Sequence, residues 1–285
     1  MLRERIADNV YWFQSEVHDQ VTVGAVIGTS WAVLIDSMAL PEETLAIRSF
    51  VEDNLQMPVR YIINTHYHTD HTLGNCFFPG ATIIGHTLTR KLMLEKNATA
   101  LEKAKEDFQA YQKSRIVPPS LAFDAGTLSL QVGKKHLKIF PVAGNSPVGI
   151  AVLVREDRVL FAGDAYMPLP YIVEGDLDQQ AETIKIIGKM SLENIVQGHG
   201  DIILRGEIEQ ATRSNLNYLA NLKKVVKAAA RMKDPTNKLK AATVEACGKS
   251  RVLLGGLVGE LHRRNLIALY RRETKPEKDQ LAFKF

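Results

Sequence analysis

Four residues of metal-binding type fall within six positions, at His66, His68, Asp70 and His71, inside the run Thr65-His66-Tyr67-His68-Thr69-Asp70-His71-Thr72-Leu73-Gly74-Asn75. Three of the chain's eight histidines lie here. They directly follow the apolar run Val59 to Ile63, so the end of a strand would project imidazoles and a carboxylate into one pocket. Such groups are costly to bury unless something cationic lies among them. Borderline metals such as zinc take nitrogen and oxygen donors together. The chemistry to expect is therefore hydrolytic, because a bound divalent ion brings the pKa of water down to ~7. The blander alternative is a polar loop with a chance cluster of histidines.

The His-x-His-x-Asp-His run resembles the signature of the metallo-β-lactamase superfamily, and further matches follow in that family's order over about residues 1–205. Asp36 ends an early apolar run, as the family's first aspartate does. Asp164 follows Val159-Leu160-Phe161-Ala162-Gly163, and His199 sits in Gly198-His199-Gly200. The resemblance implies a four-layered αββα sandwich in the α/β class, with the site along one edge of the sheets. It also implies one metal position held by His66 and His68 and a second held by Asp70, His71 and His199, with Asp164 bridging. Asp36 is expected to orient a ligand rather than to be one, since metal-bound histidines usually donate their second N–H to such a group.

One motif departs from the pattern. Where the family has a histidine that completes the first position, this chain reads Ala143-Gly144-Asn145-Ser146-Pro147. An amide oxygen is neutral and a far weaker zinc ligand than imidazole. The expectation is one tightly held zinc at the second position and a weak or absent ion at the first, with Asn145 at most a weak ligand. Iron or manganese are the alternative metals. His136 is the nearest other histidine, but it belongs to the strand before this loop and substitutes poorly.

Composition sets wider bounds. With 285 residues, 45% hydrophobic and 24% charged, the chain can bury a sizeable core. No apolar run reaches the length of a membrane span. The first residues, Met1 to Ile6, lack the apolar core of a signal peptide, so a cytoplasmic location is expected. Cys76 and Cys247 are too few and too far apart for a disulfide framework. Charge is uneven: residues 201–285 carry a balance of +9, and the remaining 200 residues carry −5. The basic residues are interrupted by acids along amphipathic stretches, so a solvated face is expected and nucleic acid is disfavoured as a partner.

The elements that must position these residues can be read coarsely. An opening strand is expected at Val10 to Phe13, followed by strands at Val21 to Ile27 and Ala32 to Ile35. Pro41-Glu42-Glu43 suits a helix start, with proline in the first turn and acids at the positive end. Strands at Val59 to Ile63 and Ala81 to Ile84 bracket the metal motif, and a long helical stretch runs from His86 to about Arg115. Further strands fall near Leu128 to Val132, Leu137 to Val142, Ile150 to Val154 and Arg158 to Ala162. Prolines and a glycine between Asp164 and Asp176 forbid a helix there. That loop is a candidate substrate wall, with Tyr166 and Tyr171 offering rings and hydroxyls. A helix from Leu177 to Met190 and a short strand at Ile195-Val196 lead to His199. Residues 1–205 are read as the catalytic domain, and 206–285 as a C-terminal helical extension packed on it, or alternatively a homodimer surface. Its helices are expected at Glu207 to Met232 and Val252 to Arg272, with Gly255, Gly256 and Gly259 inside the second. Beyond it, Leu281, Phe283 and Phe285 could dock.

The function these readings imply is hydrolysis of small esters, lactones, thioesters or lactams by metal-bound hydroxide, with Asp70 as the catalytic proton carrier. The alternatives are an iron-dependent sulfur dioxygenase, a nuclease of the same superfamily, and a regulatory protein with a degenerate site.

Overall fold

The computed structural model describes residues 1–274; the apolar positions Leu281, Phe283 and Phe285 lie outside them. Two sheets stack face to face. The first has seven strands in sequence order: β1 (Leu2–Ala7), β2 (Val10–Gln14), β3 (Thr22–Ile27), β4 (Ala32–Ile35), β5 (Val59–Ile63), β6 (Thr82–His86) and β7 (Leu121–Phe123). The second has β8 (Leu128–Val132), β9 (Lys135–Val142), β10 (Gly149–Val154), β11 (Val159–Gly163), β12 (Asn194–Gln197) and β13 (Ile203–Leu204), ordered β13-β12-β11-β10-β9-β8. The helices are α1 (Pro41–Ser49), α2 (Thr69–Thr72), α3 (Thr87–Leu92), α4 (Ala98–Asp107), α5 (Leu177–Gly188), α6 (Ile208–Ala230), α7 (Thr236–Ala241) and α8 (Val258–Thr274).

Three apolar clusters define four layers. Val26, Val33, Ile35 and Ile63 of the first sheet meet Ile139, Val152, Phe161 and Val196 of the second, which forms the central layer contact. Gly24 permits that approach, because a Cβ there would stand 2.2 Å from the Phe161 ring. The outer face of the first sheet packs on Ile47 and Val51, from α1 and the wider turn that continues it. The outer face of the second packs on α5, α6 and α8 through Leu160, Ile184, Leu222, Val258 and Leu266. β3 and β4 are buried along their whole length, as their nearly unbroken Val/Ala/Ile/Leu composition requires. This is the αββα sandwich. Among the described residues no helix is long and apolar enough to cross a membrane.

Topology explains the site's place. β4, β5, β6 and β7 run parallel, as do β11 and β12. Asp36 follows β4, the histidine motif follows β5, Asp164 follows β11 and His199 follows β12. All four segments therefore leave the C-terminal ends of parallel strands, at one edge of the stacked sheets, where loops of α/β folds commonly bind ligands.

Several sequence expectations need correction. The chain opens with β1 at Leu2–Ala7, a mostly exposed edge strand that lacks the apolar density of β2. β7 is likewise short and exposed enough to be missed. The helical stretch from His86 breaks at Phe108, whose backbone is extended, well before Arg115. α7 was also unforeseen. Gly255 and Gly256 lie before α8 rather than inside it, with φ of +62° and +97°, so they turn the chain into the helix.

Candidate metal centre

The second ligand group is a near-regular cage. His71 Nε2 and His199 Nε2 stand 3.3 Å apart. Asp70 Oδ2 lies 3.6 Å from the first and 3.3 Å from the second. Asp164 Oδ1 lies 3.3 Å and 3.6 Å from the same two nitrogens. Atoms that ligate one divalent ion at about 2.0–2.2 Å stand roughly 3–3.6 Å from one another. Both imidazoles are held with the inner nitrogen aimed into the cage: His71 Nδ1 donates to Asp36 Oδ2 at 2.9 Å, and His199 Nδ1 donates to the Asp19 carbonyl at 2.8 Å. Asp164 Oδ1 is buried with no hydrogen-bond donor. Two imidazoles and two carboxylates converge on one point, a set of ligand types that fits a divalent cation.

The first group gathers His66, His68 and Asp164. His66 Nε2 is 3.1 Å from His68 Nδ1 and 3.3 Å from Asp164 Oδ2. Thr65 gives its hydroxyl proton to Asp36 Oδ2 at 2.7 Å, so its oxygen accepts from His66 Nδ1 at 3.0 Å and leaves Nε2 free. The fourth corner is Asn145. Its Nδ2 donates to Asp164 Oδ2 at 2.5 Å and lies 3.2 Å from His68 Nδ1. The amide thus ties together two acceptors that would otherwise face an ion, and Oδ1 could ligate only after the amide turned over. His136 is exposed and bound to Glu156, away from this site.

Local backbone chemistry holds the cage. Asp36 has φ of +63°, a conformation unusual for a non-glycine residue and characteristic of functional positions. From there it also accepts from Thr65 N at 2.8 Å. Gly198 lets the His199 segment close on β11, since a Cβ there would sit 1.9 Å from Asp164 Oδ1. Electrostatics follow from this crowding. Burial alone would raise Asp70 and Asp164, but the surrounding histidines outweigh it and hold both carboxyls far below their ordinary range. Burial would likewise lower His71 and His199, yet the neighbouring carboxylates hold both up. His66, dominated by burial, is lowered.

The loop after Asp164 behaves differently from expectation. Tyr166 is fully buried, with its hydroxyl 2.9 Å from Thr212 Oγ1, and so faces the helical layer. Tyr171 packs against the same apolar cluster. Neither forms a substrate wall, because the loop turns its aromatic side chains toward α6 and α8. Glu174 comes forward instead. It accepts from the Tyr67 hydroxyl, lies 3.4 Å from Lys96 Nζ and stands 3.8 Å from His68 Nε2. Contact with His68 is the largest influence holding its carboxyl down, at about 2. A groove of about 2440 Å³ begins at Ser146, Glu174 and Lys96 and runs along α3, α7 and α8. Its lining borders the ligands without including them. Sequence reasoning missed Glu174, Thr65, Gly198 and the Asp19 carbonyl. Thr65 and Gly198 adjoin histidines that the sequence already singles out, but nothing in the sequence marks the other two.

A family model described as the metallo-beta-lactamase superfamily matches residues 18–228. Among solved structures, the chain is similar to the stereoselective inverting sec-alkylsulfatase Pisa1 from Pseudomonas sp., with TM-score 0.69, 15% identity and coverage of 96% of this chain. This chain spans about half of that protein, 51%. A beta-lactamase domain protein from Burkholderia ambifaria gives TM-score 0.65 at 17% identity, covering 94% of this chain and 88% of that one. A metallo-beta-lactamase from Hirschia baltica gives TM-score 0.58 at 17% identity, covering 74% and 96%. At such identities the likeness to these structures is one of fold.

Proposed function

The chain belongs to the metallo-beta-lactamase superfamily, and from that premise we propose that it is a metal-dependent hydrolase working chiefly with one zinc ion. The observation that carries this reading is the cage of His71, His199, Asp70 and Asp164, with five measured edges of 3.3–3.6 Å. The first group, braced by the Asn145 amide, is read as a weaker site. An ion in the cage would supply Lewis acidity and a water acidic enough to attack at neutral pH.

The protein's own groups do the rest. Asp36 and the Asp19 carbonyl hold the outer nitrogens of His71 and His199 and so keep the inner ones aimed inward. Asp70 is the least buried carboxylate of the cage, with its side chain 22% exposed. It stays ionised across the neutral range, and with an ion bound it would accept a hydrogen bond from the attacking water and relay a proton toward the leaving group. Small esters, lactones, thioesters and lactams are the proposed substrates. The likeness to a sec-alkylsulfatase extends over the helical layer as well, which adds sulfate esters to the set to be assayed.

The test is zinc titration of chelator-treated protein, followed by turnover of an ester, lactone, lactam and sulfate-ester panel. One tight ion and metal-dependent turnover are expected. A chain that takes up no ion, or whose turnover ignores zinc and chelator, would refute the reading.

A further inference from the structure

Three of the four site histidines have an outer nitrogen within 3.0 Å of an oxygen that orients it: His66 that of Thr65, His71 that of Asp36 and His199 that of the Asp19 carbonyl. His68 is the exception. Its outer nitrogen, Nε2, faces Glu174, which belongs to the segment between β11 and α5 that has neither helix nor strand. A loop of this length would sample many conformations, and fixing each residue's backbone costs roughly 1–2 kcal/mol. Something must therefore hold Glu174.

Helix α8 does so with two side chains. Asn265 accepts from Ile172 N at 2.9 Å and donates to the Pro170 carbonyl at 2.8 Å. Arg272 donates to the carbonyls of Ile172 at 3.1 Å, of Gly175 at 2.8 Å and of Val173. These partners lie on both sides of Glu174. On the far side, Tyr67 and Lys96 hold its carboxylate.

We propose that Glu174 is a positioning residue for His68, and that α8 keeps it in place. The helical layer thereby becomes part of the first ligand group without contributing a ligand atom. A carboxylate 3.8 Å from Nε2 acts on it electrostatically, favouring the proton there and turning the Nδ1 lone pair toward His66 and Asp164, the sense in which outer carboxylates orient metal-bound histidines. This partly offsets the missing fourth ligand at Asn145. The inference rests on reading His66, His68 and Asp164 as a weak ion site.

The experiment is a zinc competition titration of the full chain that resolves the tight and the weak ion, alongside thermal unfolding of the metal-free protein. Glu174→Ala should weaken the second binding event about tenfold to a hundredfold and leave the tight one unchanged. Glu174→Gln, which keeps an acceptor oxygen, should lose less. Arg272→Ala should move the same event in the same direction by a smaller factor, with Arg272→Lys restoring part of it. Should Arg272→Ala fail to fold, Arg272→Lys carries that arm, and wild-type affinity in it would overturn the role of α8. An unchanged weak event in folded Glu174→Ala would overturn the role of Glu174. So would a wild type that takes up one ion and no second at any zinc concentration, although that outcome leaves the hydrolase reading standing. Loss of both events together would reduce Glu174 to a structural contact.

Discussion

The two ligand groups share Asp164 yet are built to different standards. In the second, the outer nitrogen of each histidine has an acceptor within 2.9 Å, and the fourth corner is a carboxylate. In the first, His68 leans on a loop carboxylate 3.8 Å away, and the fourth corner is a neutral amide that donates to Asp164. The contrast lies in what surrounds each group rather than in the number of ligand-type residues. What surrounds each ligand decides whether its lone pair is free, and a donor at a ligand corner satisfies the acceptors that a cation would need.

The largest way to break the contrast is to destroy the better group. His71→Ala should abolish the tight ion and, with it, turnover, which elemental analysis and assay would both register. Retention of the tight ion would mean the first group holds it. Asp36→Asn keeps the side chain's shape but removes the charge that His71 Nδ1 and Thr65 address. Tight-ion affinity should fall about 10–100-fold, read by chelator competition.

Equalising the groups sharpens the comparison from the other side. Asn145→His should supply the missing imidazole and strengthen the weak ion by about tenfold or more, of the order a nitrogen ligand offers over an amide. Titration should then approach two ions per chain. A gain of hydrolysis would mark the present site as weakened, whereas a loss would show that the amide serves the present reaction.

A stability measurement tests the same rule outside the site, with an amide standing in for a counter-charge. Lys249 is buried against Asn215 Oδ1 at 2.6 Å, and burial pushes its pKa from 10.5 down to about 8. Below pH 8 both folded and unfolded chains hold the proton, so the folded state bears the full cost of burying the charge. Between about 8 and 10.5 the unfolded chain holds more protons, and stability should rise by up to about 1.4 kcal/mol per pH unit. Denaturant unfolding of wild type against Lys249→Met across this window should show that slope in the wild type and its absence in the variant.

Much of this was legible from residue types. The alternation and apolar density of β2 to β5 and β8 to β12 announced the sheets, and Pro41 with its acids announced α1. β1 and β7 escaped because exposed edge strands need no apolar pattern. Tyr166 misled because an aromatic residue beside a ligand can face either side of its loop, and the apolar cluster with α6 claimed it.

The sequence by itself determined the family and the six ligand-type residues that follow the strands, because each is a matter of residue identity and order along the chain. Only the tertiary structure decided which nitrogens are free, that the Asn145 amide donates to Asp164, and that Glu174 and the Asp19 carbonyl reach histidines 106 and 180 residues away. The physical reason is range. Side-chain type and local periodicity are written residue by residue, whereas a hydrogen bond responds to tenths of an ångström between segments that meet only once the sheets have stacked.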